Sequence, residues 1–260
     1  MNRIDSAFQH KPIFMPYFPL GYPDLDTSVH VIEALGKNGA DLIEVGLSFS
    51  DPLADGPVIQ RATQAALQNG ITVRKSLEAV TELRRRGVTI PLVLMGYYNP
   101  LLAYGLPAFI TAAREAGADG FIVPDLPAEE SAEFEAAQAA VDGASLPLIR
   151  MLASTTPGER MESVARSAQG FIYLVSVTGV TGARQALADG LGELIDSVRK
   201  HTTVPVCVGF GIGTPAQAKA VGALADGVIV GSACVRAIGE SDRPVVTAGE
   251  FAQEFKEALT

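Results

Sequence analysis

Short apolar runs and amphipathic stretches alternate along this chain from end to end. Runs rich in β-branched and aromatic residues predict strands at 13–18, 41–45, 92–95, 120–123, 146–151, 170–175, 204–208 and 227–230. Between them, apolar positions recur at helical spacing. In 25–38, Val29, Ile32 and Leu35 share one face. Further helices fit 73–86, 106–116, 128–141, 157–167, 187–200, 215–221 and 247–259. Eight strand–helix units in about 250 residues have the size and rhythm of a single-domain (βα)8 TIM barrel, here spanning 1–260. A doubly wound sheet is the alternative. It would need fewer strands or a clear second half, and the composition does not break between halves.

The intervals between strands are uneven. The longest separates the second and third strands and holds a polar turn plus an extra helix beginning near Val58. Another long one follows the sixth strand, Val177-Thr-Gly-Val-Thr-Gly-Ala-Arg-Gln-Ala. Loops after barrel strands build the active-site face, and long glycine-rich loops there are candidates for a closing lid.

The second strand carries a residue out of place. Glu44 interrupts the apolar run Leu42-Ile43-Glu44-Val45. A strand buried on both faces has no use for an ionised carboxylate unless it is paired or its pKa rises. The turn that follows brings Asp51 and Asp55 around a tight loop. One acid sits on rigid scaffold and another on a loop, which suits acid–base chemistry on a substrate lying between them. The plainer alternative is a core acid bonded to backbone or Arg, with Asp51 and Asp55 making turns.

Two glycine-rich segments stand where barrels hold phosphate. Val208-Gly209-Phe210-Gly211-Ile212-Gly213 follows the seventh strand, and Val230-Gly231-Ser232-Ala233 follows the eighth and opens a short helix. Backbone N–H groups at a helix N-terminus, with glycine allowing close approach, favour a dianion. Tight βα turns are the other reading of each segment. Gly209-x-Gly211-x-Gly213 is not a dinucleotide fingerprint, since it comes late in the chain with no acidic ribose partner after it. Tyr17, Met95, Tyr97, Ile122, Leu126 and Tyr173 lie at or just beyond strand ends. Each alone reads as core; together they would sandwich a flat apolar ring.

Composition removes several classes. The net charge of −9 argues against non-specific nucleic-acid binding. No apolar run is long enough to span a bilayer, and the N-terminus has no secretory pattern. Cys207 and Cys234 form no metal or redox motif and read as reduced thiols of a cytosolic protein. His10, His30 and His201 stand beside no nucleophile, and no metal cluster is visible.

The string Ile43-Glu-Val-Gly46, then Phe49-Ser-Asp-Pro-Leu-Ala-Asp-Gly-Pro57, resembles the signature of the tryptophan synthase α-chain family. The resemblance extends along the chain through Pro16–Pro23, Gly96-Tyr-Tyr-Asn-Pro100, Val123-Pro-Asp-Leu-Pro127, Gly179-Val-Thr-Gly182, Gly209-Phe-Gly211 and Gly231-Ser232. It implies retro-aldol cleavage of indole-3-glycerol phosphate to indole and glyceraldehyde 3-phosphate. Glu44 then matches the family's acid–base glutamate and Asp55 its second catalytic aspartate. Tyr173 matches a tyrosine near the substrate. Gly182, Phe210, Gly211, Gly231 and Ser232 match phosphate-site positions, and 179–182 matches the mobile loop. The family's partner is a pyridoxal-phosphate β chain in an αββα assembly, an α2β2 heterotetramer, and no cofactor is expected on this chain. Pro19 stands where many members carry Thr, and Val177 where some carry Arg. Neither change touches the matched acids.

The chemistry is consistent from below. Breaking a bond to indole C3 needs a proton delivered to that carbon and a negative group near the ring nitrogen, which suits Asp55. The glycerol hydroxyl must then lose a proton, and one carboxyl with a raised pKa, Glu44, serves both steps. A sugar-phosphate isomerase or aldolase would explain the glycine-rich segments but not the string around the two acids. No Lys stands in the eight strands to form a Schiff base. A barrel kept only to bind a partner would not need both acids.

Overall fold

The computed structural model describes residues 2–141, 143, 146–175, 184–209 and 211–260, with backbone alone for 184–189. Among the described residues eight strands are present: β1 Ile13–Pro19, β2 Ile43–Gly46, β3 Leu92–Met95, β4 Gly120–Ile122, β5 Arg150–Ala153, β6 Ile172–Val175, β7 Val206–Gly209 and β8 Gly227–Val230. Among the described residues the helices are α1 Arg3–Ala7, α2 Leu25–Lys37, α3 Pro57–Gln68, α4 Val73–Arg85, α5 Tyr98–Tyr104, α6 Leu106–Ala116, α7 Ala132–Ala139, α8 Gly158–Ser167, α9 Arg184–Arg199, α10 Pro215–Gly222, α11 Ser232–Gly239 and α12 Pro244–Leu259.

All ladders are parallel, in the order β4-β3-β2-β1-β8-β7-β6-β5. A single bridge, Phe121 to Leu148, links β4 to the segment before β5 and brings the sheet round to a nearly closed barrel. The expected (βα)8 architecture and the extra helix after β2 are therefore present.

Strand alternation sorts side chains into two cores. Ile13, Met15, Leu42, Val93, Ile122, Ile149, Phe171, Tyr173, Cys207 and Ile229 fill the barrel interior. Ile4 and Phe8, from α1 and its end, join them and plug one end of the barrel. The opposite parity packs outward onto helices: Ile43, Val45, Phe14 and Phe18 in one cluster, and Ile172, Leu174 and Val208 in another. Leu42 points in while Ile43 and Val45 point out, so Glu44 points into the barrel.

Capping explains where several helices begin. Asp24 accepts the Thr27 N–H at 2.8 Å ahead of α2, and Thr72 accepts the Lys75 N–H ahead of α4. Pro244 takes the first position of α12, three residues before the expected start, where its missing N–H costs nothing. The fifth strand also differs from expectation. The Pro147 carbonyl accepts the Phe121 N–H and the Ile149 N–H donates to the Phe121 carbonyl, so 146–149 meets β4 by one bridge and the ladder with β6 starts at Arg150. The helix expected at 128–141 is split by Ser131, whose hydroxyl donates back to the Ala128 carbonyl at 2.8 Å. That leaves a 3-10 turn, Ala128–Glu130, before α7.

At the end where strands start, three aspartates act as clasps. Asp41 precedes β2 and accepts the Phe14 N–H of β1 at 2.7 Å and the Lys256 ammonium. Asp119 precedes β4 and accepts from Leu92 N–H of β3 and from Arg84. Asp226 precedes β8 and accepts from Val206 N–H of β7, with Lys11 and Arg199 beside it. Each acid is paired with a cation, which is the stability-bearing face of such a barrel. Glu44, higher in the same interior, has no such partner among the described residues.

Candidate active site

Glu44 is 1% exposed. Its Oε1 is fully buried and has no hydrogen-bond partner among the described residues. Burial raises its pKa to about 8, so the carboxyl holds its proton at neutral pH. In register beside it stands Tyr17 of β1. The Tyr17 ring lies over Gly46, and a β-carbon there would sit 2.3 Å from the tyrosine hydroxyl. Across the barrel, Tyr173 lies over Gly209 in the same way, at 2.4 Å. Only glycine at these two strand ends leaves room for the rings. Burial pushes both tyrosines well above their usual pKa, and the charges of Asp55 and Glu44 add to the shift.

Asp55 is delivered from the loop after β2. Its pKa is raised by burial, and a hydrogen bond from Tyr97 works against that rise. Tyr97, just beyond β3, accepts the Ala54 N–H at 3.0 Å and packs its ring, tilted, against Phe49 at 5.6 Å between ring centroids. The Gln60 amide donates to the Asp55 carbonyl at 2.7 Å and ties the loop to α3. Sequence reasoning missed Gln60; its place one turn into the following helix is the only signal it offered. Asp51 bonds the adjacent Ser50 hydroxyl at 2.5 Å and remains a turn residue. The structure thus gathers Glu44, Asp55, Tyr17, Tyr97 and Tyr173 at one end of the barrel, the end at which the strands finish. Ile122 and Met95 join from β4 and β3.

The glycine-rich segments converge on the same end. After β7, Gly211 adopts φ +78°, which favours glycine. Thr214 caps α10, and the Gly213 N–H donates to the Gln217 side chain at 2.8 Å. After β8, Gly231 leads into α11 with no side-chain cap, so among the described residues the first N–H groups of α11 are open. The two segments lie side by side: a β-carbon built on Gly213 would lie 3.9 Å from the Ala233 methyl. Phe210 and Gly182, with the loop 179–182 and Val177, lie outside the described residues. Pro19 ends β1 in register with Gly46.

A hollow of about 900 Å³ lies elsewhere, on the outer face where α6 approaches the end of α7. Pro107, Thr111, Arg114 and Val141 line it, and it holds none of the groups above. The acids, the tyrosine cluster and the open helix terminus make the barrel mouth the chemically equipped surface.

The sequence model of one family, described as tryptophan synthase alpha chain, matches residues 5–260. The chain belongs to the tryptophan synthase alpha chain family. Among curated relatives, the tryptophan synthase alpha chain of Chloroflexus aggregans is 49% identical over 240 residues, covering 90% of this chain and 89% of the relative. That of Chloroflexus aurantiacus is 51% identical over the same shares. The crystal structure of the alpha chain from Legionella pneumophila superposes with a TM-score of 0.89 at 34% identity, covering 100% of this chain and 97% of that one. The reaction of the family is cleavage of indole-3-glycerol phosphate in tryptophan biosynthesis, and this chain is a lyase of that kind. Membership removes the sugar-phosphate isomerase and aldolase alternatives. Among the described residues no helix is long and apolar enough to cross a membrane.

Proposed function

We propose that Glu44 and Asp55 divide the retro-aldol cleavage of indole-3-glycerol phosphate between them. Glu44 enters the reaction protonated and gives its proton to C3 of the indole ring. The ring nitrogen becomes positively charged, and the Asp55 carboxylate beside it stabilises that charge. Glu44, now ionised in an apolar interior, takes the proton of the hydroxyl on the carbon attached to the ring. The C–C bond breaks, its electrons return to the ring, and indole and the aldehyde leave. The observation that carries this reading is the unpartnered, buried Glu44 carboxyl, with a pKa near 8, aimed into the mouth that Asp55 overlooks. Environments push the two acids' roles apart, one proton-bearing and one charge-bearing.

Tyr17, Tyr97, Tyr173 and Ile122 flank the indole ring. Gly211, Gly231 and Ser232, with Gly182 and Phe210, hold the phosphate; the open N–H groups of α11 suit a dianion. This chain supplies the chemistry from side chains alone, and pyridoxal phosphate belongs to a partner β chain. Leu53, in the loop that carries Asp55, is 87% exposed and adjoins the mouth, which suits docking of that partner in an α2β2 assembly. Residues 1–260 act as one cytoplasmic domain.

The test is indole release from indole-3-glycerol phosphate by the purified chain and by Glu44→Gln. The amide cannot shuttle a proton, so release by the variant should fall by orders of magnitude with the circular dichroism spectrum unchanged. A folded variant with most of the parent's kcat would end this assignment.

A further inference from the structure

Tyr97 stands on a rigid footing. The Gly96 N–H donates to the Ile122 carbonyl at 3.0 Å, and the Tyr98 N–H donates to Asp125 at 2.9 Å. From there the buried side chain reaches across to the loop after β2 and meets it at both ends. Its ring packs on Phe49, near where the loop leaves β2. Its hydroxyl accepts the Ala54 N–H at 3.0 Å, next to where the loop presents Asp55. A phenol has one proton to give. With the Ala54 N–H on a lone pair, that proton is left to turn toward the neighbouring Asp55 carboxyl, and Tyr97 works against the rise that burial gives the Asp55 pKa. Inside the loop the Asp55 N–H to Pro52 carbonyl bond is long, at 3.4 Å, and the Gln60 amide holds the Asp55 backbone carbonyl rather than its carboxyl.

We infer that Tyr97 is the positioning residue of the catalytic loop, its ring against Phe49 and its hydroxyl on the Ala54 N–H holding the loop so that Asp55 is aimed into the barrel mouth. The inference rests on the reading of Asp55 as the group that stabilises the ring charge. It gives Tyr97 a role separate from any contact with the ring. Burial alone favours a neutral acid at position 55, and a donated hydrogen bond favours the anion. The titratable groups that face this carboxylate are Tyr97 beyond β3, Tyr17 on β1 and Tyr173 on β6. Glu44 of β2 acts on Tyr17 and Tyr173, and Asp125 after β4 acts on Tyr97. All three tyrosines are pushed above their usual range.

The experiment compares Tyr97→Phe, Asp55→Asn and the double variant over a range of pH. Tyr97→Phe keeps the ring and its contact with Phe49. Its kcat should fall by about tenfold to a hundredfold, the rate equivalent of one charge-assisted hydrogen bond, with KM within about threefold. The acid limb of its kcat profile should move to higher pH, because Asp55 ionises later without the donor. The double variant should be no slower than Asp55→Asn, since Tyr97 acts through the group already removed. A raised KM with kcat and the acid limb unchanged would overturn the inference, and so would losses that multiply in the double variant. With Asp55→Asn inactive and Tyr97→Phe at the parent's kcat, the inference alone falls. An Asp55→Asn variant that keeps its kcat removes the reading of Asp55, and the inference with it.

Discussion

Glu44→Gln should make the protein more stable as it makes it inactive, and the gain should depend on pH. The folded chain raises the Glu44 pKa from its ordinary 4.5 to about 8. The folded state therefore holds a proton that the unfolded state has released. Stability falls as pH rises between these two values, at about 1.4 kcal/mol per pH unit, and levels off above the upper one. The cost is under about 1 kcal/mol at pH 5, about 3 kcal/mol at pH 7 and about 5 kcal/mol at pH 9. Glutamine has the shape of the protonated acid and does not ionise, so the variant escapes the whole term. Urea unfolding of both proteins at pH 5, 7 and 9 measures it. The two curves should nearly coincide at pH 5 and separate progressively toward pH 9, with the variant the more stable. A difference that does not change with pH, or a variant less stable at pH 9, would mean that Glu44 is paired or hydrated in the folded state. The proton-bearing role would then lose its physical basis.

Other consequences follow from the same geometry. Asp55→Asn should lose orders of magnitude in kcat with a smaller effect on the affinity for a ground-state analogue, because the lost charge acts mainly on the charged intermediate; steady-state kinetics and analogue titration separate the two. Gly231→Asp should raise KM for indole-3-glycerol phosphate sharply and alter cleavage of the dephosphorylated analogue much less. Gly231→Ala is the control, since its new methyl would meet Ile59 and Tyr17 only at 3.6 and 3.8 Å. Leu53→Glu, at a residue 87% exposed, should leave the isolated chain's indole release within about twofold while weakening co-elution with a β chain from the same source; undiminished co-elution would remove Leu53 from the docking surface.

What could be read from the sequence follows from how each feature is encoded. Glu44 was legible because strand parity is local: with Leu42, Ile43 and Val45 all apolar, an acid between them has nowhere polar to go, and alternation aims it inward. Barrel architecture was legible for a similar reason, since eight repeats of one pattern leave few ways to bury the apolar faces. The start of the fifth strand was not, because Leu146-Pro-Leu-Ile149 has the composition of a strand, yet the fold gives it one bridge to β4 and begins the ladder with β6 at Arg150. The three clasping aspartates and the two candidate catalytic acids are chemically alike in sequence, and what separates them is the cation that the fold brings to Asp41, Asp119 and Asp226 and withholds from Glu44. Tyr97 shows the limit most sharply. It lies 43 positions from Ala54, and the two meet because β2 and β3 are neighbours whose following segments rise from the same end of the barrel. The local pattern reads Tyr97 as one more ring at a strand end. Its hydroxyl gains a role only when the neighbouring strand's loop is folded over it, so the residue that aims an acid is harder to see than the acid itself.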